Sequence, residues 1–345
     1  MNFGMRLKGI EAYNPTAYNG EIRLDANESC FDLPQDIKEE IAKNIKNIAF
    51  NRYPDPNATE LCKKFASYFN VDYKNVIAGN GSDELLSLLF GAILRPGSMV
   101  MLVTPDFSMY KFYADLYGQH TMIFNKPIMT EIELWKAFSL VNKADMIVFS
   151  NPCNPTSKGV CRKEILEAAS QTAGIVIADE AYMDFWDESV IDQINNIKNL
   201  VVLKTCSKAF GLAAARVGFA AANEEIIEMF RKAKSPYNVS TIDQVAAATV
   251  LSHPEYLKEQ TKKLIDLRNK LYQGIKPLLT AEMQMPEPKT NFICIYTFRA
   301  EQIYISLRDR GIITRCLNGN ILRISVGTED EINFLLKAFE EVVKK

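Results

Sequence analysis

The sequence predicts an α/β protein, with a large domain built on a mainly parallel, seven-stranded sheet between helices and a small α+β domain. Three observations support this prediction. Short apolar runs alternate with helical patterns from residue 76 to residue 221, which is typical of a parallel sheet covered on both faces. From residue 291 onward the order is strand, helix, strand, helix. The length of 345 residues exceeds one ordinary hydrophobic core.

The elements follow in chain order. Residues 1–35 are irregular apart from the strand-like string IRLDAN, and we expect them to lie on the small domain. Helices are predicted over 34–45 and 58–69, and Pro54 and Pro56 hold Tyr53 on a stiff loop between them. The seven strands are predicted at 76–78, 99–103, 121–124, 146–149, 175–178, 200–203 and 217–221.

Helical periodicity fills the segments between and after these strands. It runs from residue 85 onward, near 110–117, over 134–141 and 163–173, and then through about residue 276 with Pro254 as its only break. The C-terminal part predicts helices over 301–309 and 329–343. We therefore expect a large domain over 36–265 and a small domain formed by 1–35 and 266–345.

The composition excludes several classes of function. Forty Lys and Arg against forty-two Asp and Glu give a net charge of -2, with no dense basic run to follow a nucleic acid, so no nucleic-acid partner is expected. The seven cysteines are scattered without a C-x-x-C pair, and there are only two histidines. This argues against a disulfide framework, a metal site and a Ser-His-Asp triad.

Targeting and membrane signals are weak. The N-terminal string MNFGMRLKGI has no apolar stretch long enough for a signal peptide, and the most apolar segment, 85–94, is far short of a membrane span. With scattered cysteines that suit a reducing compartment, these features predict a cytoplasmic protein without a membrane partner.

Lys208 is the first candidate for chemistry. It follows the buried strand predicted at 200–203, where a cation is costly unless it is paired or neutral, and a neutral lysine is a nucleophile that can form a Schiff base. Thr205, Ser207 and Arg216 nearby supply hydroxyls and a guanidinium suited to a phosphate. A phosphate-bearing aldehyde of this kind is pyridoxal phosphate. Taken singly, a surface lysine followed by a helix-terminal arginine is the commoner origin of such a string.

Polar side chains follow three predicted strands at the edge where a doubly wound sheet binds its ligands. Asn154 follows the strand at 146–149, Asp179 and Tyr182 follow the strand at 175–178, and Lys208 follows the strand at 200–203. A carboxylate buried at the end of IVIA needs a cationic partner, and a pyridinium nitrogen would be one. For Asp179 alone, a helix cap or a buried salt bridge remains the alternative. Phe107 is a candidate for stacking on a flat ring, or a core aromatic.

The string GNGSDE predicts an anion site. It joins a short strand to a helix, so free backbone amides and the helix dipole point at the loop. It lacks the third glycine of the dinucleotide-binding G-x-G-x-x-G motif.

Seven strings together resemble one enzyme family. They are RYPDP, GNGSDE, SNPCNPT, ADEAYMDF, KTCSKAFGLAAAR, TNFI and LRISVGT. In this order and at these spacings the chain resembles fold-type I pyridoxal-phosphate aminotransferases over nearly its full length, and within them the histidinol-phosphate aminotransferase family. Cys153, where relatives usually have asparagine, Ser157, where many have glycine, and the FDLP turn in the N-terminal arm depart from the family pattern without removing a catalytic group.

The resemblance implies roles for individual residues. Lys208 would bind pyridoxal phosphate covalently and carry the proton, Asp179 would contact the pyridine nitrogen, and Asn154 and Tyr182 the ring oxygen. Phe107 falls where the family places a ring over the cofactor. The phosphate would be held by Thr205, Ser207, Arg216 and the amides of Gly81, Ser82 and Asp83.

The resemblance also implies the substrates and the assembly. Tyr53 would reach the phosphate in the other subunit of a homodimer with shared sites. Arg323 would bind the carboxylate of glutamate and the phosphate of the alternate substrate, with Tyr13, Asn291 and Arg315 as helpers; Arg315 is equally well explained as a solvated strand-end charge. The implied reaction is transamination between a small-molecule amino donor and a keto acceptor in histidine biosynthesis.

Other readings remain. A threonine-phosphate decarboxylase shares the fold and the recognition of phosphate, but those relatives tend to have phenylalanine at the position of Tyr182. A broad aromatic aminotransferase is a further alternative. A ligand sensor that regulates transcription would need an additional DNA-binding domain, for which the 345 residues leave no room.

Overall fold

The computed structural model describes residues 22–126 and 144–344. Within these ranges the chain forms a seven-stranded sheet, a three-stranded sheet and a two-stranded pair. The strands are β1 (Ile22–Arg23), β2 (Val76–Asn80), β3 (Met99–Thr104), β4 (His120–Asn125), β5 (Met146–Ser150), β6 (Ile175–Asp179), β7 (Leu200–Thr205), β8 (Val217–Ala222), β9 (Phe292–Tyr296), β10 (Ile312–Ile313), β11 (Arg315–Leu317) and β12 (Ile321–Ser325). The predicted α/β class is confirmed.

The helices of the described ranges surround these sheets. They are α1 (Gln35–Ile45), α2 (Thr59–Phe69), α3 (Gly81–Leu88), α4 (Met109–Tyr117), α5 (Arg162–Gln171), α6 (Glu224–Ala233), α7 (Thr241–Leu251), α8 (Pro254–Ile275), α9 (Ala300–Arg308) and α10 (Glu329–Val343). A π-helical turn, Leu89–Ile93, continues α3. The sequence predicted each of these segments as helical, and Pro254 separates α7 from α8 as expected.

The large sheet is mainly parallel. Its strand order is β2-β8-β7-β6-β5-β3-β4, and β8 runs antiparallel to both of its neighbours while the remaining pairs are parallel. All seven predicted strands are present. Each extends one or two residues beyond the prediction at one or both ends.

Both faces of this sheet are covered, because successive side chains of its central strands point into two different hydrophobic clusters. On β5, Val148 belongs to a cluster formed with α3, α4 and α6. Ile147 and Phe149 belong to the other cluster, formed with α2, α5 and α7. Every residue of β5, β7 and β8 is buried. The continuous apolar runs in the sequence therefore mark strands buried on both faces.

The C-terminal part forms a smaller α+β unit. Strands β9, β12 and β11 make an antiparallel sheet, against which α9 and α10 lie. Near the start of the described chain, β1 pairs with β10, with Ile22 opposite Ile312. The expected association of the N-terminal arm with this unit is observed for β1. The predicted domain boundary between residues 265 and 266 falls inside α8 and stays a prediction.

Two expectations lie outside the described residues, namely the helix at 134–141 and the position of Tyr13. In the two described ranges, no helix combines the length and the apolar character needed to cross a membrane. The same ranges contain no group of three or more His, Cys, Asp or Glu side chains able to hold a metal ion.

Candidate active site

The candidate site lies at the carboxyl ends of three neighbouring strands. Strands β5, β6 and β7 are adjacent and parallel, so their following residues meet at one edge of the sheet. Asn154 follows β5, Asp179 ends β6, and Lys208 lies three residues beyond β7. The structure therefore brings together the three side chains that the strand ends indicated.

Asp179 is a buried carboxylate held by two hydrogen bonds. The Tyr110 hydroxyl donates to Asp179 Oδ2 at 2.7 Å, and the backbone N–H of Ala181 donates to Oδ1 at 3.1 Å. Burial raises the pKa of Asp179 to about 7, although these hydrogen bonds lower it. Asp179 is only 4% exposed. A cationic ligand would stabilise the charged form of its carboxylate.

Tyr110 was not identified from the sequence as a site residue. It lies on α4, and its ring meets that of Phe107 edge to face with 5.6 Å between centroids. Burial raises the pKa of Tyr110 well above its usual value, so the hydroxyl keeps its proton and acts as the hydrogen-bond donor to Asp179. The sequence could have indicated Tyr110 by its spacing, because residues three apart lie on one side of a helical turn and Tyr110 is three residues from Phe107.

Lys208 reaches toward the N-terminal segment and Tyr182. Its Nζ donates to the carbonyl oxygen of Ala26 at 3.0 Å and lies 5.8 Å from the centroid of the Tyr182 ring. The Tyr182 hydroxyl accepts a hydrogen bond from Asn27 Nδ2 at 2.9 Å. This leaves the hydroxyl hydrogen of Tyr182 to donate to a ligand.

Asn27 is a second residue that the sequence interpretation missed. It is buried, and its backbone and side chain exchange hydrogen bonds with the Ser325 hydroxyl at 2.9 Å each. Asn291 Nδ2 donates to the Asn27 carbonyl at 3.0 Å. Its φ of 55° lies in the left-handed region, where asparagine is among the few side chains tolerated well. Its position at the end of the strand-like string IRLDAN was the signal in the sequence.

The predicted phosphate residues lie together at a second corner. Thr205 Oγ1 donates to Ser207 Oγ at 3.1 Å, Arg216 Nη1 donates to the same oxygen at 3.3 Å, and Arg216 Nη2 lies 3.5 Å from Asp83 Oδ2. The Gly81 N–H donates to the Arg216 carbonyl at 2.6 Å. The first turn of α3 is therefore joined to the arginine.

Gly81 suits this corner because its φ of 73° lies in the left-handed region that favours glycine. An added Cβ would lie 2.7 Å from Arg216 Nη2, so the guanidinium would have to move. Ser82 and Asp83 follow it in the first turn of α3, whose free N–H groups and dipole favour an anion.

Arg323 lies on β12 and is the main charged side chain that the smaller unit contributes to the site. Its Nη1 donates to Asn154 Oδ1 at 2.7 Å, and its Nη2 donates to the Asp25 carbonyl. Among the described residues its Nε is buried without a hydrogen-bond partner, as is Oδ1 of Asn291. Burial lowers the pKa of Arg323. Arg315 lies directly across from Arg323 on the neighbouring strand, so both cations are carried on one face of that sheet.

Tyr53 lies on the surface of this chain. It is 80% exposed and stacks on Tyr237, with ring centroids 4.5 Å apart. Tyr13, the remaining candidate, is outside the described residues.

Comparisons with known proteins agree with this arrangement. The family model "Aminotransferase class I and II" matches residues 19–339. A histidinol-phosphate aminotransferase of Clostridium novyi (strain NT) is 36% identical over 94% of this chain and 93% of its own length. One of Clostridium kluyveri is 33% identical over 99% of both chains.

Solved structures give the same result for the fold. The histidinol-phosphate aminotransferase from Sinorhizobium meliloti, in complex with pyridoxal-5'-phosphate, superposes with a TM-score of 0.88 at 22% identity, covering 99% of this chain and 97% of that one. The extent of the family match and the identity to full-length relatives leave one conclusion. This chain belongs to the class I and II aminotransferase family.

Proposed function

We propose that the chain is a pyridoxal-phosphate-dependent aminotransferase that acts between L-histidinol phosphate and 2-oxoglutarate on one side and imidazole acetol phosphate and L-glutamate on the other. This is a step of histidine biosynthesis. The observation that carries the proposal is that Lys208 and Arg323 donate to the carbonyls of two consecutive residues, Ala26 and Asp25, and that Lys208 follows the strand next to the one that ends at the buried Asp179. The chain is also 36% identical to a histidinol-phosphate aminotransferase over 94% of its length.

The buried carboxylate of the site fits the cofactor ring. Asp179 is a buried carboxylate whose observed partners are neutral donors, and its pKa of about 7 reflects the lack of a compensating cation. A protonated pyridine nitrogen would supply that cation. Tyr182 and Asn154 have N–H or O–H groups left to donate to the ring oxygen, because their own oxygens accept from Asn27 and Arg323 respectively.

The phosphate corner fits the other end of the cofactor. Ser207 lies within hydrogen-bond distance of both Thr205 and Arg216, beside the first turn of α3. A phosphate accepts several hydrogen bonds and carries a charge that Arg216 and the helix dipole both favour. At Gly81, an added side chain would displace the Arg216 guanidinium from this position.

The residues divide the chemistry among them. When bound, pyridoxal phosphate supplies an electron sink for the pair left by the substrate Cα–H bond. Lys208 would bind the aldehyde carbon of the cofactor, and its Nζ would take the proton of the substrate Cα and return it on the cofactor side. Asp179 would hold a proton on the ring nitrogen, which would strengthen the sink.

Arg323 gives the site its preference for anions. A guanidinium binds a carboxylate or a phosphate through paired N–H groups, and the unpartnered Nε of Arg323 leaves one such group for the substrate. Arg315 across the strand pair adds a second positive charge that suits a dianionic phosphate. Asn291, with Oδ1 buried and unpartnered in the described chain, and Tyr13 complete the proposed substrate residues.

The assembly and location follow from the same proposal. We infer a cytoplasmic homodimer with shared active sites. The support is the exposed stack of Tyr53 and Tyr237, which leaves an aromatic pair on the surface, where Tyr53 would reach the phosphate of the other subunit.

The deciding experiment is an absorbance titration of the purified holoenzyme with one amino donor at a time. L-histidinol phosphate at low concentration should convert the spectrum of the bound cofactor to that of its amine form, and 2-oxoglutarate should restore it. Two rival outcomes would overturn the substrate assignment: carbon dioxide release from O-phospho-L-threonine, or a reaction with L-phenylalanine as efficient as that with histidinol phosphate.

Lys208 provides the test of the mechanism. Lys208→Ala should abolish turnover, and Lys208→Arg, which keeps the charge but cannot bind the aldehyde, should be equally inactive. Turnover by either variant at the rate of the parent enzyme would exclude the proposed role of Lys208.

A further inference from the structure

A buried ion pair lies beside the site and has no role in the chemistry described above. Lys126 Nζ is 3.0 Å from Asp106 Oδ2 and 2.9 Å from Cys153 Sγ, and the side chains of Lys126 and Asp106 are only 2% and 3% exposed. The lysine follows β4, the aspartate follows β3, and the cysteine follows β5. All three strands end at the edge of the sheet that carries the site.

Hydrogen bonds connect this pair to Asn154. Asp106 accepts from both the hydroxyl and the backbone N–H of Ser150, the latter at 3.2 Å to Oδ2. Ser150 Oγ in turn accepts from the backbone N–H of Asn154 at 3.1 Å. Because Ser150 donates its hydroxyl hydrogen to Asp106, its oxygen is oriented toward the Asn154 N–H.

Asn154 then meets Arg323. Its Oδ1 accepts from Arg323 Nη1 at 2.7 Å, which is the contact between the loop after β5 and the substrate arginine on β12. Cys153, next to Asn154, is fixed as well, since its Sγ contacts Lys126 and its backbone exchanges hydrogen bonds with Ser157 and Lys158. A continuous series of contacts therefore runs from Lys126 to the arginine that binds the substrate anion.

A second buried ion pair in the same sheet provides a comparison. Lys204 Nζ is 3.2 Å from Glu180 Oε2, with side-chain exposures of 4% and 1%. Glu180 accepts from the Ser189 hydroxyl and the Val190 N–H, so it holds the segment that follows β6. The two pairs match in burial and length but connect to different loops.

We propose that Lys126 and Asp106 are positioning residues that hold Asn154 against Arg323 and thereby set the affinity for the anionic group of the substrate. The inference rests on the proposed role of Arg323 in binding that anion. A buried ion pair adds little net stability on average, so what this pair contributes is the fixed geometry of the hydrogen bonds around it. Lys126 acts on Arg323 through Asp106, Ser150 and Asn154.

The test compares Lys126→Met with Lys204→Met. Each removes one cation from a buried pair, so both should lose thermal stability by similar amounts. For Lys126→Met, we expect KM for 2-oxoglutarate to rise roughly tenfold, the effect of one misplaced hydrogen bond, with kcat changed less than about threefold. Lys204→Met should retain the parent KM.

A second readout does not depend on turnover. Hydrogen exchange of the peptide covering 150–158, measured with and without pyridoxal phosphate, should be about tenfold faster in Lys126→Met and unchanged in Lys204→Met. If the parent enzyme fails to transaminate, the proposed function fails, while the exchange of this peptide still decides whether the pair positions the loop.

A double variant covers the case in which Lys126→Met does not fold. Lys126→Met/Asp106→Leu leaves no unpaired buried charge and should be stable, yet it lacks the acceptor for Ser150 and should keep the raised KM and the fast exchange. A parent-like KM together with parent-like exchange in this variant would reduce the pair to a structural role and overturn the proposal.

Discussion

The two ends of the proposed cofactor site differ in how completely one chain forms them. At the ring end, Asp179 is buried and its two oxygens are held by Tyr110 and the Ala181 N–H. At the phosphate end, the Arg216 and Asp83 side chains are 47% and 42% exposed, and Arg216 Nη2 lies 3.5 Å from Asp83 Oδ2. The ring end is fixed by the interior of the sheet, whereas the phosphate end lies at its surface.

This difference separates two functions of the site. A buried carboxylate next to little water interacts strongly with a cation, so in the proposed site the ring end would control the electronic properties of the cofactor. Exposed charges are screened and interact weakly one by one, so the phosphate end contributes affinity through several small terms. Substitutions at the ring end should therefore reduce kcat, and those at the phosphate end should reduce cofactor affinity.

The largest effect is expected for Asp179→Asn. The amide can still accept from Tyr110 but cannot stabilise a protonated ring nitrogen, so kcat should fall by about 10³-fold while the cofactor remains bound. Steady-state kinetics and the absorbance of the bound cofactor measure both quantities. Asp145→Asn, at the exposed amino end of β5, is the matched control and should keep the parent kcat. Near-parent activity of Asp179→Asn would remove the distinction between the two ends.

The pKa of Asp179 predicts how the cofactor-free protein responds to pH. Its folded-state value of about 7 lies above the ordinary 3.8, so the folded protein holds this proton more tightly than the unfolded chain. The stabilisation is fully present below pH 4 and is lost as pH rises through 7, with an upper limit of about 4 kcal/mol.

Thermal unfolding of the cofactor-free protein from pH 5 to pH 8 measures this. The parent should lose stability relative to Asp179→Asn over this range, because asparagine does not titrate. Added pyridoxal phosphate should reduce the loss, since a cationic ring nitrogen favours the charged carboxylate. A constant difference between the two proteins across this pH range would contradict the raised pKa.

At the phosphate end, Arg216→Met should weaken pyridoxal phosphate binding by roughly tenfold to a hundredfold, the range for loss of a charge-assisted hydrogen bond. At saturating cofactor, kcat should change by less than about threefold. Arg231→Met, on the surface of α6 and paired with Glu228, controls for the loss of one arginine. A large fall in kcat at full occupancy would show that the phosphate end also controls the chemistry.

The positions of Asp179 and Lys208 after buried strands could be predicted from the sequence, whereas the phosphate residues are indicated by their hydroxyl and guanidinium groups and by the string GNGSDE. Runs such as those preceding Asp179 and Lys208 are apolar because the strands are buried on both faces, and parallel neighbours bring their ends together. The partners of these residues were not predictable in this way. Asn27 meets Tyr182 across 155 residues of sequence, and Lys126 meets Cys153 from another strand. Such contacts depend on the loop conformations, which local periodicity does not determine.

The smallest effect is expected for Tyr53→Phe. The ring can still stack on Tyr237, so only the hydroxyl is lost, and with it one proposed hydrogen bond to the phosphate in the other subunit. Cofactor affinity should fall about threefold to tenfold, with kcat unchanged. Tyr73→Phe, another exposed tyrosine, is the control. The contact is proposed to cross subunits, so each site would take Lys208 from one chain and Tyr53 from the other. A mixed dimer of one Tyr53→Phe chain and one Lys208→Ala chain should therefore contain one site with both native residues and one site with both substitutions. Unaffected cofactor binding in every combination would remove Tyr53 from the phosphate end.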